Sequence, residues 1–329
     1  MKRWLPLFGF VLLWAASVMA VAAVARVTIP DYLGNAPTLA AFPFPLVNFD
    51  AGYYMSIAQH GYVGNILPVR AFFPLFPLLV AAGHWLVVWV PAAWQYPLAA
   101  TGINLALTAV VLWLAGRLLE RDFGSRASGA WLLLLYPYAF VLVAGYAEAL
   151  LLTLTLGAFV AARERRWWLA GVLAMLAGGT RLPGLLVAPA LLVEYLHQAG
   201  WRWRQIGPEI GWLVLAPLGT LGYFAYLQWS AGGIGTYFQA YTMAWPERVV
   251  NMNILHPLER MVERAVSSGA APLTDRVSYN DVISVLLLGL MLVLLIGFWR
   301  QLRPSYRVCA ALTLVLPLTS SILYGIGRY

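Results

Sequence analysis

Apolar residues in this chain fall in long unbroken runs, with neither the alternation of a half-buried strand nor the narrow stripe of a soluble helix. The first run, Leu5 to Ala25, follows Lys2 and Arg3 and is long enough to cross a hydrocarbon layer of roughly 30 Å. It reads as an uncleaved anchor; a cleaved signal peptide is the alternative, because small-residue patterns occur near residues 20 to 25. Further runs lie at about 72–90, 97–116, 128–145, 148–162, 167–180, 182–199, 210–229, 282–299 and 308–325. No internal repeat and no low-complexity linker divides them, so the pattern predicts an all-α polytopic membrane protein with a single domain over residues 1–329.

Basic residues orient these runs. Arg117, Arg121 and Arg126, then Arg163, Arg165 and Arg166, then Arg202 and Arg204, then Arg300, Arg303 and Arg307 occupy short loops, and with Lys2 and Arg3 they hold 13 of the 21 basic residues. The positive-inside rule makes all of these loops cytoplasmic. Residues 127–162, 167–201 and 208–299 then each form a two-span hairpin returning to the inside, whereas 26–116 contains two runs where parity allows one crossing. The run 72–90 carries Pro74, Pro77 and His84 and is followed by Pro91. Proline removes backbone donors that a lipid-exposed helix must satisfy internally, so this run is predicted not to cross but to lie in the outer leaflet. The count is about nine transmembrane helices, with a first outer loop at 26–96 and a second at 231–281.

Composition narrows the function classes. The chain is 62% hydrophobic and 10% charged with a mean hydropathy of +0.76, which excludes disordered and disulfide-rich classes. The lone Cys309 forms no intrachain bridge and no thiolate metal site. The net charge of +8 is explained mostly by cytoplasmic loops, so nucleic acid is not an expected partner. No P-loop, HExxH, GxSxG, CxxC or Asp-x-Asp pair occurs, and a metal-dependent nucleotide-sugar mechanism loses support.

Candidate chemistry lies where ionisable residues interrupt the apolar pattern. Glu148 precedes Arg163 by 15 residues and Arg181 follows Arg166 by 15, so both lie roughly 22 Å above the inner boundary. Charges at that depth pair or face a wet cavity, and they mark a functional site unless they form a purely structural ion pair. In NFDAGYYMSIAQHGY (48–62), Asp50 opens an amphipathic helix with Ala51, Tyr54, Ala58 and Tyr62 on one face and Ser56 and Gln59 turned away. Asp50 is either the helix N-cap or a carboxylate that accepts a proton from a bound hydroxyl, and His60 is a second candidate base. Among 15 Trp, several adjoin the cytoplasmic Arg clusters as an interfacial belt; Trp245, with Tyr237 and Tyr241 in the second outer loop, is the better ligand candidate. Residues 256–266 read as an interfacial helix.

FDAGYYMSIAQHGY, AFFPLFPLL (71–79), YPYAFVLVAGYAEALLL (136–152), WWLAGVLAMLAGGTRLPGLLV (167–187) and the terminal GRY together resemble the PIG-V family. These are integral-membrane mannosyltransferases of the GT-C class, including the second mannosyltransferase of GPI-anchor synthesis and bacterial relatives. The resemblance covers most of residues 45–200. The stretch from 71 to Glu148 also resembles, more remotely, the catalytic subunit of oligosaccharyltransferase, whose first outer loop contains non-crossing segments. The family resemblance implies a GT-C-type bundle, a polyprenyl or dolichyl phosphate sugar as donor, and a catalytic Asp in the first outer loop, a position matched by Asp50. The family's usual Trp before that Asp is Phe49 here. The family chain continues past its Arg-Tyr element, so the resemblance implies that a final helix or more follows Tyr329.

The expectation is therefore an inverting glycosyltransferase, a mannosyltransferase first, acting at the outer (lumenal or periplasmic) face on a hydroxyl of a glycan or glycolipid acceptor. Asp50 is the base, and Arg181 is the first candidate for holding the donor phosphate, followed by Arg328 and His84. Glu148, Tyr54, His60 and Trp245 support the site or the acceptor. No metal or other cofactor is expected, and the membrane is the bacterial plasma membrane in preference to that of the endoplasmic reticulum. A polytopic transporter or lipid flippase is the alternative from another class, but such proteins place broken helices and polar sites at mid-membrane in matching halves, and the halves here do not match. A scaffold subunit is the third possibility.

Overall fold

The computed structural model describes residues 4–28, 46–62, 64, 66–124, 129–245, 253, 255–256, 259, 263 and 276–319. Arg328 and most of residues 256–266 lie outside them. Regular structure among the described residues is helical, with no strand. In chain order the helices are α1 (Trp4–Thr28), α2 (Asp50–His60), α3 (Leu75–His84), α4 (Ala92–Phe123), α5 (Glu148–Arg163) and α6 (Trp167–Gly178). After them come α7 (Val187–Gln198), α8 (Leu218–Ser230), α9 (Gly235–Ala244), α10 (Arg276–Gly297) and α11 (Pro304–Val315).

Among the described residues, three helical stretches are long and apolar enough to cross a membrane: Leu7–Thr28, Ala92–Phe123 and Pro208–Ser230, the last joining a 3-10 turn to α8. Their outward surfaces are apolar, with Leu13, Val21, Val214 and Leu221 among the exposed side chains. Water penalises such a surface and hydrocarbon does not, which marks an integral membrane protein. The apolar stretch Leu75–Val87 is shorter. At about 1.5 Å per residue it reaches only some 20 Å, less than the hydrocarbon layer. Pro91, extended at φ −51° and ψ 138°, turns the chain into α4. The helix α3 lies against α4 so closely at Gly83 that a Cβ there would stand 2.8 Å from Ile103 Cδ1.

The run 128–145 differs from the spanning segment predicted for it. Its described residues hold two 3-10 pieces, Gly129–Leu135 and Ala139–Leu142, and no α-helix. Pro137 between them lacks the amide that a continuous helix requires. Irregular backbone is tolerated at membrane depth only where protein groups satisfy it, and residues 141–150 are all buried. Trp14 Nε1 of α1 donates to Leu134 O (3.0 Å), and from α4 Thr108 Oγ1 donates to Leu142 O (2.8 Å). Asn104 Nδ2 donates to the carbonyls of both Ala144 and Tyr146.

Small residues set the approach of α6 to the 208–230 stretch. A Cβ on Gly171 would sit 2.2 Å from Trp212 O, and one on Gly219 would sit 1.9 Å from Met175 O, so the backbones themselves are in contact.

At one end of the bundle a charged network joins four helices. The carboxylate of Glu194, fully buried near the end of α7, accepts from Arg303 (2.7 Å), Ser305 (2.6 Å) and Gln198 (2.9 Å). Arg163 at the end of α5 pairs with Asp122 of α4 (2.6 Å) and approaches Glu194 at 3.7 Å. Arg117 pairs with Glu164 at 3.0 Å. The Arg-bearing ends of α4 and α5 and the segment before α11 therefore share one end of the bundle.

This arrangement makes the α3–α4 corner accessible from the opposite side. With Cys309 removed, Cys introduced at the exposed Ala92 should react with an impermeant thiol reagent added outside intact cells. Reaction only after permeabilisation would mean that residues 72–90 cross the membrane.

Candidate functional site

Helix α2 begins at a strained turn. Phe49 stands at its cap with φ 51° and ψ −122°, a conformation costly for a bulky L-residue by about 1–3 kcal/mol and one that tends to collect at functional sites. The sequence allowed Asp50 to be the N-cap; the cap is Phe49, and Asp50 is the first helical residue, one position inside. Its side chain is buried along with Ala51, Tyr54, Met55 and Ile57, while Gln59 and His60 at the far end are exposed. The turn is fixed from outside the helix, where Tyr146 Oη donates to Asn48 O at 3.1 Å. Helix α2 packs closely on Gly145: a Cβ there would come 3.0 Å from Met55 Cε and 3.5 Å from Ala51 Cβ.

Glu148 and Arg181 meet. Arg181 Nη1 donates to Glu148 Oε1 in an ion pair whose carboxylate side chain is 5% exposed and whose guanidinium side chain is 17% exposed. Glu148 is the first residue of α5, where the amide dipoles favour a negative charge. Arg181 follows the turn that ends α6 and has extended backbone. Leu75 N donates to Gly179 O at 3.2 Å, so the start of α3 is tied to that turn. The segments carrying Asp50, the Glu148–Arg181 pair and the AFFPLFP stretch thus converge on the end of the bundle away from the Glu194 network.

Aromatic rings form the next layer. Phe72 stacks on Tyr53 at 4.9 Å and meets Tyr54 edge-on at 5.0 Å. Trp245, at the end of α9, lies 5.6 Å from Phe72 and 5.2 Å from Tyr241, so the end of α9 closes onto the segment before α3. Tyr62 Oη donates to Phe72 O at 2.7 Å, and burial pushes its hydroxyl well above the usual tyrosine range, which keeps it a proton donor. Tyr237 is buried against Phe73 and Phe224 as a core ring.

The structure does not bring every predicted residue here. His84 lies at the opposite end of α3 from Leu75, about 14 Å along the helix. Its ring stacks on Tyr96 at 4.7 Å, and Nδ1 lies 2.6 Å from Ala81 O. His60 is exposed at the end of α2. Arg328 is outside the described residues. Among the described residues, no three of His, Cys, Asp and Glu gather to form a metal site.

Three residues absent from the sequence expectation shape this site. Asn104 and Thr108, fully buried on one face of α4, hold the irregular segment that ends at Glu148, and Tyr146 links that segment to the turn before Asp50. A signal existed: polar side chains at i and i+4 inside an otherwise apolar run share one helix face. Asn104→Ala removes the side-chain donor shared by the carbonyls of Ala144 and Tyr146 and should cost about 1–3 kcal/mol, with lower melting temperature and faster hydrogen exchange over 142–148. Unchanged exchange there would remove Asn104 from the support of Glu148.

The chain matches no protein-family model, no curated protein and no solved structure.

Proposed function

We propose that the protein is an inverting glycosyltransferase of the PIG-V type, a mannosyltransferase first among hexosyltransferases. It moves a sugar from a polyprenyl or dolichyl phosphate to an acceptor hydroxyl at the outer face of the membrane, in the bacterial plasma membrane in preference to that of the endoplasmic reticulum. The chain crosses about nine times in this reading, with the short α3 segment embedded in the outer leaflet. The observation that carries it is the convergence of a carboxylate at a strained helix start with a buried carboxylate–guanidinium pair, both beneath a wall of aromatic rings.

The chemistry needs two services. The acceptor oxygen forms a bond to the anomeric carbon while the bond from that carbon to the phosphate oxygen breaks and its electron pair stays on phosphate. Asp50 takes the acceptor's proton, and Arg181, held in orientation by Glu148, stabilises the departing phosphate. A lipid phosphate leaves without a general acid, so a metal ion is not needed in this scheme. Tyr54 and Trp245 frame the acceptor side, with His60 at its rim, and Arg328 and His84 are secondary candidates for the phosphate. A flippase gains no specific observation over this reading.

The direct assay incubates purified protein with lipid-phosphate sugars and acceptors and determines the mass and anomeric configuration of the product; retention would contradict a single displacement. Asp50→Asn keeps the shape but not the basicity, so turnover should fall about 10²–10⁴-fold while donor binding and folding persist. Turnover within a few-fold of wild type would show that Asp50 serves only the helix start.

A further inference from the structure

The turn after α7 presents side chains that the fold itself does not use. Residues 201–204 read Trp-Arg-Trp-Arg, and all four are exposed, Trp201 at 57% and Trp203 at 82%. Among the described residues, none of these four side chains makes a hydrogen bond, an ion pair or a ring contact. The backbone beneath them is nevertheless fixed. Trp201 N donates to Leu196 O (2.9 Å), Arg202 N to Ala199 O (3.1 Å) and Gln205 N to Arg202 O (2.9 Å), and Gly207 N donates to Tyr195 Oη (2.8 Å). Trp201 holds a left-handed backbone, φ 58°, which a bulky L-residue rarely adopts and which tends to collect at functional sites.

The neighbours of this turn set its depth. Arg204 stands four residues before Pro208, where a stretch long and apolar enough to cross a membrane begins. Gln198 Nε2 donates to Ala162 O (3.0 Å), which places the turn at the end of the bundle where α4, also of membrane-spanning length, finishes at Phe123 beside the Asp122–Arg163 pair. Two membrane-length stretches thus start or stop at this end, and the turn lies at the boundary between hydrocarbon and water. Indole rings are favoured there because one side of the ring is apolar and the N–H is wet. A guanidinium at the same depth meets lipid phosphate, whose oxygens its fork can take in two places. Charge then selects among lipids. Within residues 199–215 Glu209 is the one carboxylate, and it pairs with neither Arg202 nor Arg204. Arg165, exposed in a left-handed turn of its own at φ 59°, adds an unpaired cation to the same end.

We infer that the Trp201–Arg204 turn is a binding site for anionic phospholipid of the adjoining leaflet, with the arginines on the headgroup phosphate and the indoles in the interface around it. This goes beyond an aromatic belt, which is indifferent to headgroup charge. It is independent of sugar transfer, since the turn lies at the end of the bundle away from Asp50 and the Glu148–Arg181 pair.

The test titrates purified full-length protein in neutral detergent with phosphatidylglycerol and, separately, with phosphatidylcholine of the same acyl chains, and counts bound lipid by native mass spectrometry. Wild type should prefer phosphatidylglycerol by at least about tenfold, because each arginine near an anionic headgroup is worth roughly fivefold in affinity. Arg202→Gln/Arg204→Gln should weaken phosphatidylglycerol binding about 10- to 30-fold and leave phosphatidylcholine binding within about twofold. The melting temperature should not move, since neither side chain has a partner in the fold. Trp203→Ala should weaken both lipids by a similar factor. Unchanged phosphatidylglycerol affinity in the double arginine variant overturns the assignment, as does a wild type without headgroup preference. Binding of poly-glutamate that depends on the two arginines, with lipid binding that does not, would make the turn a protein-docking face and also overturn it. Should the double variant fail to fold, unchanged phosphatidylglycerol affinity in both Arg202→Gln and Arg204→Gln has the same meaning.

Discussion

The contact between Glu148 and Arg181 imposes the strictest demand on the rest of the fold. Burying either charge alone in a membrane protein is costly, and the pair is tolerable only if both side chains arrive at the same depth with their surroundings in place. Two different segments deliver them: Glu148 opens α5 after a stretch that is not α-helical, and Arg181 follows the turn that closes α6. Each lies 15 residues from an Arg of the 163–166 loop, which sets a common height. The irregular approach to Glu148 is permitted because α4 answers its carbonyls with Asn104 and Thr108.

The same approach segment links the pair to Asp50. Tyr146 stands two residues before Glu148 and bonds the carbonyl of Asn48, two residues before Asp50, while Gly145 lets α2 rest on the backbone. A displacement of this segment moves both acidic residues together. At the other end of the bundle, Glu194 binds α7 to Arg303 and Ser305 before and within α11, and Arg163 extends the network to Asp122 of α4. The helices that position the Asp50–Glu148–Arg181 site are thereby fixed at their other ends.

Much of this was legible in the sequence because hydrocarbon imposes simple arithmetic. Apolar run length identified an all-α membrane protein, and counting residues from the Arg loops put Glu148 and Arg181 at one depth, where they bond. Run length could not reveal that 129–142 adopts 3-10 geometry, because hydropathy is blind to where backbone hydrogen bonds go; Pro137 was the local warning. Asp50 was placed one position off, since the cap depends on the unusual backbone of Phe49, which residue type does not announce. The Glu194 network was missed although depth reasoning applies to it as well: a carboxylate inside the run 182–199 needed a partner, and the partner comes from a loop more than a hundred residues later.

The measurement that bears most directly on the central claim is the pairwise removal of the charges at 148 and 181. Glu148→Gln or Arg181→Gln alone leaves an uncompensated buried charge and should cost about 3–5 kcal/mol, with poor expression. The double variant Glu148→Gln/Arg181→Gln removes both charges and should recover folding and expression. If Arg181 works on the donor phosphate, that well-folded double variant transfers no sugar; sugar transfer near the wild-type rate would show that the pair is structural and would remove Arg181 from the site.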